Sequence, residues 1–130
     1  MHSTQPPLDQ QVTWVYTEDL EGTAEFYASI LGLSLVLDQG SCRIYRASPA
    51  AFIGVCAVRP GRYVEPKGVV ITFVTQEVDE WHNRLIAAGA TIDSPPEYSE
   101  QFMVYCFFVR DPNGYLLEFQ RFEDPAWPND

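Results

Sequence analysis

An α+β domain made of two copies of a βαβββ unit is the fold class that the sequence predicts, and three observations predict it. The stretch VTWVYTEDLE overlays VVITFVTQEVD at an offset of 58 (70 − 12 and 77 − 19), which sets Val12 on Val70 and Asp19 on Glu77. Gly32 and Gly89 close the helical stretch of each copy at an offset of 57 (89 − 32). In both copies a run of β-branched and aromatic residues gives way to helical spacing, and then to three further strand-like runs. A copy of about 55 residues buries little apolar surface alone, so the two should share a core or a cleft.

The first strand is QVTWVYT, residues 11–17. Glu18, Asp19 and Glu21 follow, and acidic residues suit a helix N-terminus, where they meet the positive end of the dipole. Ala24, Phe26, Tyr27, Ile30 and Leu31 supply the apolar helical face, and Gly32 stops it. Strands are predicted over about 33–38, 42–47 and 51–58. RPGRYVEPKG, residues 59–68, carries two prolines and two glycines and reads as a linker.

The second copy opens with the strand GVVITFVT and the helix QEVDEWHNRLIAAG, in which Val78, Trp81, Leu85 and Ala88 share a face. Strands then fit Ala90 to about Asp93, Gln101 to Val109 and Tyr115 to Phe122. The Asp111-Pro112-Asn113-Gly114 turn joins the last two, with proline and glycine where a type I turn prefers them. The domain therefore runs over 11–122, as module one (11–58), linker (59–68) and module two (69–122), with tails at 1–10 and 123–130.

Composition narrows the function classes. The chain has 130 residues, 46% of them hydrophobic and 14% aromatic, so a packed globular core is expected rather than disorder. Eight basic against 18 acidic residues give a net charge of −10 and no basic cluster, which argues against nucleic acid as a partner. The same charge favours a cationic ligand at long range. No apolar run approaches the roughly 20 residues of a membrane helix, and the polar start MHSTQPPLDQ does not read as a signal peptide. No membrane association and a cytoplasmic address are the expectation. Cys42, Cys56 and Cys106 are odd in number, widely spaced and set in apolar runs, so they are expected to be reduced, buried thiols.

Glu118 raises the question of chemistry. In the last strand Tyr115, Leu117 and Phe119 alternate with Leu116, Glu118 and Gln120, which puts the carboxylate on the face opposite the core residues. TEDLEGTAEFYASILGLSLV, VDEWHNRLIAAGA and FFVRDPNGYLLEF together resemble the vicinal oxygen chelate superfamily. That group includes glyoxalase I, methylmalonyl-CoA epimerase, extradiol dioxygenases, and the fosfomycin and bleomycin resistance proteins. The resemblance covers residues 11–122. It implies the glyoxalase/bleomycin resistance/dioxygenase fold, in which two βαβββ modules form a U-shaped mixed sheet around a cleft, often completed by dimerisation. A homodimer is expected on that ground.

The metal-dependent members of the family hold a divalent ion on His, Gln or Glu side chains at matching strand positions, where it acts as a Lewis acid. Carried over residue by residue, the first-strand position falls on Val12 and its second-module counterpart on Val70. The fourth-strand position lies in AFIGVCAV, which has no carboxylate or imidazole, and only Glu118 survives. One carboxylate does not hold a hard divalent ion, so neither a catalytic metal nor a cofactor is expected.

The same pattern implies a ligand-binding wall of Val12, Trp14, Tyr16, Val70, Thr72, Cys106, Phe108 and Glu118, with Val104 on the face of Cys106 and Phe108. A nucleophilic Cys106 would need a neighbouring base or cation, and the sequence shows none. His82 reads as an ordinary helix-flank residue and His2 as part of a tail. Arg43, Arg46, Arg59 and Arg62 are scattered about the end of module one; surface solvation is the default reading, and reach to a ligand anion or Glu118 the alternative.

The function expected is that of a metal-independent relative of the bleomycin resistance proteins. It would bind a hydrophobic or aromatic small molecule, favoured if cationic, in the inter-module cleft, with antibiotic sequestration as the concrete version. The alternative is a lyase, isomerase or dioxygenase that uses Glu118 as its catalytic group with an atypical metal site.

Overall fold

The repeat is visible strand by strand in the computed structural model, which describes residues 4–128, so that His2 lies outside them. Module one comprises β1 (Gln11–Thr17), α1 (Leu20–Glu25), β2 (Ser34–Asp38), β3 (Cys42–Ser48) and β4 (Ala51–Ala57). Module two comprises β5 (Val70–Val74), α2 (Val78–Ala87), β6 (Thr91–Ser99), β7 (Val104–Arg110) and β8 (Leu116–Phe122). Each forms a four-stranded mixed sheet, β1-β4-β3-β2 and β5-β8-β7-β6, with the first strand parallel to the fourth and the other pairs antiparallel. The α+β class and the two βαβββ modules are as the sequence predicts. No pairing joins β1 to β5, so the two sheets are separate.

Local chemistry explains the entry to α1. The Asp19 carboxylate accepts from the Gly22 amide at 3.0 Å, and Thr17 Oγ1 accepts from the Asp19 amide at 2.9 Å. After Glu25 the helix widens into a π turn over Phe26–Ile30, closed by Leu31 N–H donating to the Phe26 carbonyl at 3.0 Å. Gly32 then takes φ 76°, the left-handed conformation a stop requires.

The inner faces of both sheets and both helices merge into one core. Val15, Tyr45, Ile53 and Val55 from sheet one meet Ile71, Phe107, Val109, Leu117 and Phe119 from sheet two, around Tyr27, Leu31, Val78 and Leu85. Phe119 sits at its aromatic centre, with Trp81 and Phe107 stacked at 4.9 and 5.2 Å. Polar bonds also cross between modules: Tyr27 O–H donates to Asp111 Oδ2 at 2.8 Å, Asn113 Nδ2 to Thr23 Oγ1 at 2.9 Å, and Arg84 Nε to the Ile30 carbonyl at 3.1 Å.

Several expectations need correction. Cys42 and Cys56 are joined by a disulfide, and only Cys106 is a free thiol. The two are cross-strand partners on β3 and β4, beside the hydrogen-bonded pair Ser41 and Ala57, at the closely spaced type of position a disulfide can span. Ala88, the C-cap residue of α2, is exposed rather than on the buried face of Val78 and Leu85. β6 continues past Asp93 to Ser99, its register broken between Ile92 and Ser94 and again between Ser94 and Glu97, around Pro95 and Pro96. In the C-terminal tail Trp127 folds back to stack on Phe122 at 3.7 Å. No helix among the described residues is long and apolar enough to cross a membrane.

Candidate functional site

Strand alternation places the predicted site residues on the outer faces, opposite the shared core. On sheet one, Val12, Trp14 and Tyr16 lie beside Phe52, Gly54 and Cys56 of β4, which in turn face Arg46, Ile44 and Cys42 of β3. The Trp14 indole lies over Gly54, where a Cβ would come within 2.1 Å of its ring. β4 thus has to be bare at this point for the indole to lie against the sheet. Arg46 places its guanidinium 4.9 Å from the centre of the Phe52 ring. A cavity of ≈ 480 Å³ opens above this surface, lined by Trp14, Tyr16, Gln39, Cys42, Ile44, Cys56, Arg59 and Arg62. That volume falls within the usual range for small-molecule sites.

On sheet two, Val70 and Thr72 pair with Leu116 and Glu118, and Glu118 with Phe108; Cys106 pairs with Gln120 and with Glu97. Thr72 Oγ1 donates to Glu118 Oε1 at 2.7 Å. With its NH2 turned toward the carboxylate, the orientation that the hydrogen bonding selects, the buried Gln120 amide donates to Glu118 at 2.5 and 3.1 Å. Burial, the hydrogen bond to Glu118, and the charges of Glu118 and Glu97 push the Cys106 thiol up to about 11. Cys106 is therefore a protonated thiol at neutral pH, not a nucleophile.

The structure thus gathers Val12, Trp14 and Tyr16 on one sheet, and Val70, Thr72, Cys106, Phe108 and Glu118 on the other. A cavity of ≈ 300 Å³ does lie between the modules, bounded by Gln11, Thr13 and Ile53 on one side and Ile71, Thr72 and Phe73 on the other; of the eight predicted residues only Thr72 lines it. The donor set does not fit a metal. Val12 and Val70 offer no donor atom, Glu118 is held by Thr72 and Gln120, and no group of three or more His, Cys, Asp or Glu suited to a metal exists among the described residues.

The remaining candidates find plainer roles. His82 packs edge-on against Phe107 at 5.1 Å. Arg43 pairs with Glu21 at 2.5 Å and holds that carboxyl below its ordinary value, and none of the four scattered arginines forms an ion pair with Glu118. Reading along the sequence misses Gln120, Gly54 and the cysteine pair. Strand pairing reveals the last, since Cys42 and Cys56 stand seven residues either side of Pro49 (49 − 42 and 56 − 49).

Among solved structures the chain is similar to a glyoxalase/bleomycin resistance protein/dioxygenase from Nocardioides, at 22% identity and TM-score 0.73, over 98% of this chain and 91% of the other. It is similar to lactoylglutathione lyase from Agrobacterium tumefaciens, at 20% identity and TM-score 0.75, covering 95% and 100%. TioX from Micromonospora sp. ML1 matches at 22% identity and TM-score 0.73, covering 86% and 97%. No curated protein sequence matches the chain. At these identities the structural likenesses show the fold. A family model covers residues 9–119, most of both modules, and by that match the chain belongs to the Glyoxalase/Bleomycin resistance protein/Dioxygenase superfamily.

Proposed function

We propose that this protein binds a hydrophobic or aromatic small molecule without a metal, against the outer face of sheet one. One observation carries the reading: the Trp14 indole lies over bare Gly54 on the wall of a cavity of ≈ 480 Å³, 40% exposed and free to stack on a planar ligand. Sequestration of an antibiotic or a biosynthetic product is the concrete form of this function. A thermal-shift screen of aromatic compounds and antibiotics tests it: binders should raise the melting temperature of the native chain and not that of Trp14→Ala. If nothing in a broad panel stabilises the native chain, the reading is lost.

A homodimer belongs to the same proposal. Leu35, Leu37, Val70 and Val74 are between 49 and 51% exposed, apolar side chains that a second copy would cover. Light scattering of the eluted protein should give twice the chain mass. A cytoplasmic address is also proposed, and there Cys42–Cys56 would have to stand as a reducible pair.

The second reading, an enzyme of this superfamily with Glu118 as general base, is favoured by the fixed orientation that Thr72 and Gln120 give its carboxylate. Turnover of glutathione hemithioacetals that vanished in Glu118→Gln would support it over sequestration.

A further inference from the structure

We propose that the cavity over sheet one is selective for an aromatic carboxylate, with Arg59 and Arg62 as the pincer that holds its anionic end. This deepens the aromatic-binding reading above and rests on it. The chain has seven arginines, and five are engaged elsewhere. Arg43, Arg110 and Arg121 pair with Glu21, Asp93 and Glu123. Arg46 covers the Phe52 ring, and Arg84 donates to the Ile30 carbonyl while facing Trp81. Arg59 and Arg62 are the two with neither a carboxylate nor an aromatic partner among the described residues, and both line this cavity.

The turn between them explains how they are held. Arg59-Pro60-Gly61-Arg62 places proline at the second position and glycine, at φ 81°, at the third, as a type II turn demands. Arg62 N–H donates to the Arg59 carbonyl at 2.8 Å, and Arg59 N–H to the Arg62 carbonyl at 3.3 Å. Residues directly opposed in this way send their side chains to the same side of the ribbon. The sequence RPGR, which reads as linker, thus mounts two arginine side chains on one side of a tight turn. Arg62 is further steadied by Nη1 donating to the Gly61 carbonyl at 2.9 Å.

Charge and shape agree. No Asp or Glu lines the cavity, although the chain as a whole carries −10, so the local preference reverses the long-range one. Glu18 lines the adjoining depression with Arg59 and Arg62 but forms no ion pair with either. Guanidinium forks match carboxylate geometry, while Trp14, Tyr16 and Ile44 supply the flat apolar wall for a ring.

Calorimetric titration of the full chain with 2-naphthoate, neutral 2-naphthamide and cationic 2-naphthylmethylammonium tests this. We expect 2-naphthoate to bind about tenfold or more tightly than the amide, as one charge-assisted contact would give. That advantage should shrink to within about threefold in Arg59→Gln/Arg62→Gln, whose exposed sites leave the fold intact by circular dichroism. Equal binding of acid and amide, preference for the ammonium, or an acid advantage that survives the double substitution would each overturn the carboxylate inference and leave aromatic binding standing. Failure of all three probes to bind would overturn the aromatic-binding reading and this inference with it.

Discussion

Gly54 lacks a side chain where the Trp14 ring needs the space, and the two residues are directly opposed across β1 and β4. Gly54→Ala would therefore lift the indole off the sheet. Overpacking of this kind costs about 1–3 kcal/mol, measurable by urea denaturation, and aromatic ligands should bind more weakly in parallel. Across the protein, Cys106 offers a pH-dependent readout. Its raised pKa means that the folded chain holds a proton the unfolded chain releases, so the associated stability is complete below about pH 9 and is lost as pH rises through about 11. Alkylation at pH 9 should be slower than for an ordinary thiol. Glu118→Gln should speed it only in part, because burial is the larger cause and persists. Alternation along DPNGYLLEFQ was enough to put Glu118 on the outer face. Its fixing by Gln120 was not legible, because partners two residues apart on one strand meet only when their rotamers allow it.

At the scale of elements, the β3–β4 hairpin is the part of the fold that sequence reasoning read least well. Treating three cysteines as separate apolar residues overlooks that antiparallel pairing brings Cys42 opposite Cys56. The bond closes a loop spanning a sequence separation of 14, for which about 2–4 kcal/mol of stabilisation is typical. Denaturant midpoints with and without dithiothreitol should differ accordingly, and Cys42→Ser/Cys56→Ser should match the reduced protein and ignore reductant. Strand and helix order was legible because period 2 and helical spacing alternate cleanly in both copies. The far end of β6 was not, since Pro95 and Pro96 argue against a strand and only its bulged register accommodates them. RPGR read only as linker; that it is a tight turn, with Arg59 and Arg62 opposed beside the cavity, needed the backbone hydrogen bonds.

For the whole molecule, the repeat left open whether the two modules share a core or a cleft; they share a core, and Tyr27 with Asp111 ties them together inside it. Asp111 is 4% exposed; burial pushes its carboxyl up, and bonds from Tyr27, Asn113 and Tyr115 oppose that rise. Tyr27→Phe removes one donor from a buried carboxylate, a loss of about 1–3 kcal/mol, with both modules melting together in one transition. Two transitions would show that the modules are not one cooperative unit. The eight residues named from the family pattern lie on β1, β5, β7 and β8, on the faces opposite the shared core. That pattern grouped them on one inter-module wall, whereas they divide between two separate sheets and only Thr72 lines the inter-module cavity, because which sheet faces meet depends on packing between the modules.

Stacking of Trp14 on the bound ligand can be observed directly. The chain has three tryptophans, so its indole N–H signals can be followed singly by ¹⁵N–¹H NMR, with Trp14→Phe identifying the one in question. On titration with 2-naphthoate the Trp14 signal should shift and saturate with the binding curve, while Trp81 and Trp127, engaged with Phe119 and Phe122, stay in place. A ligand that binds and leaves the Trp14 signal unmoved would contradict the account.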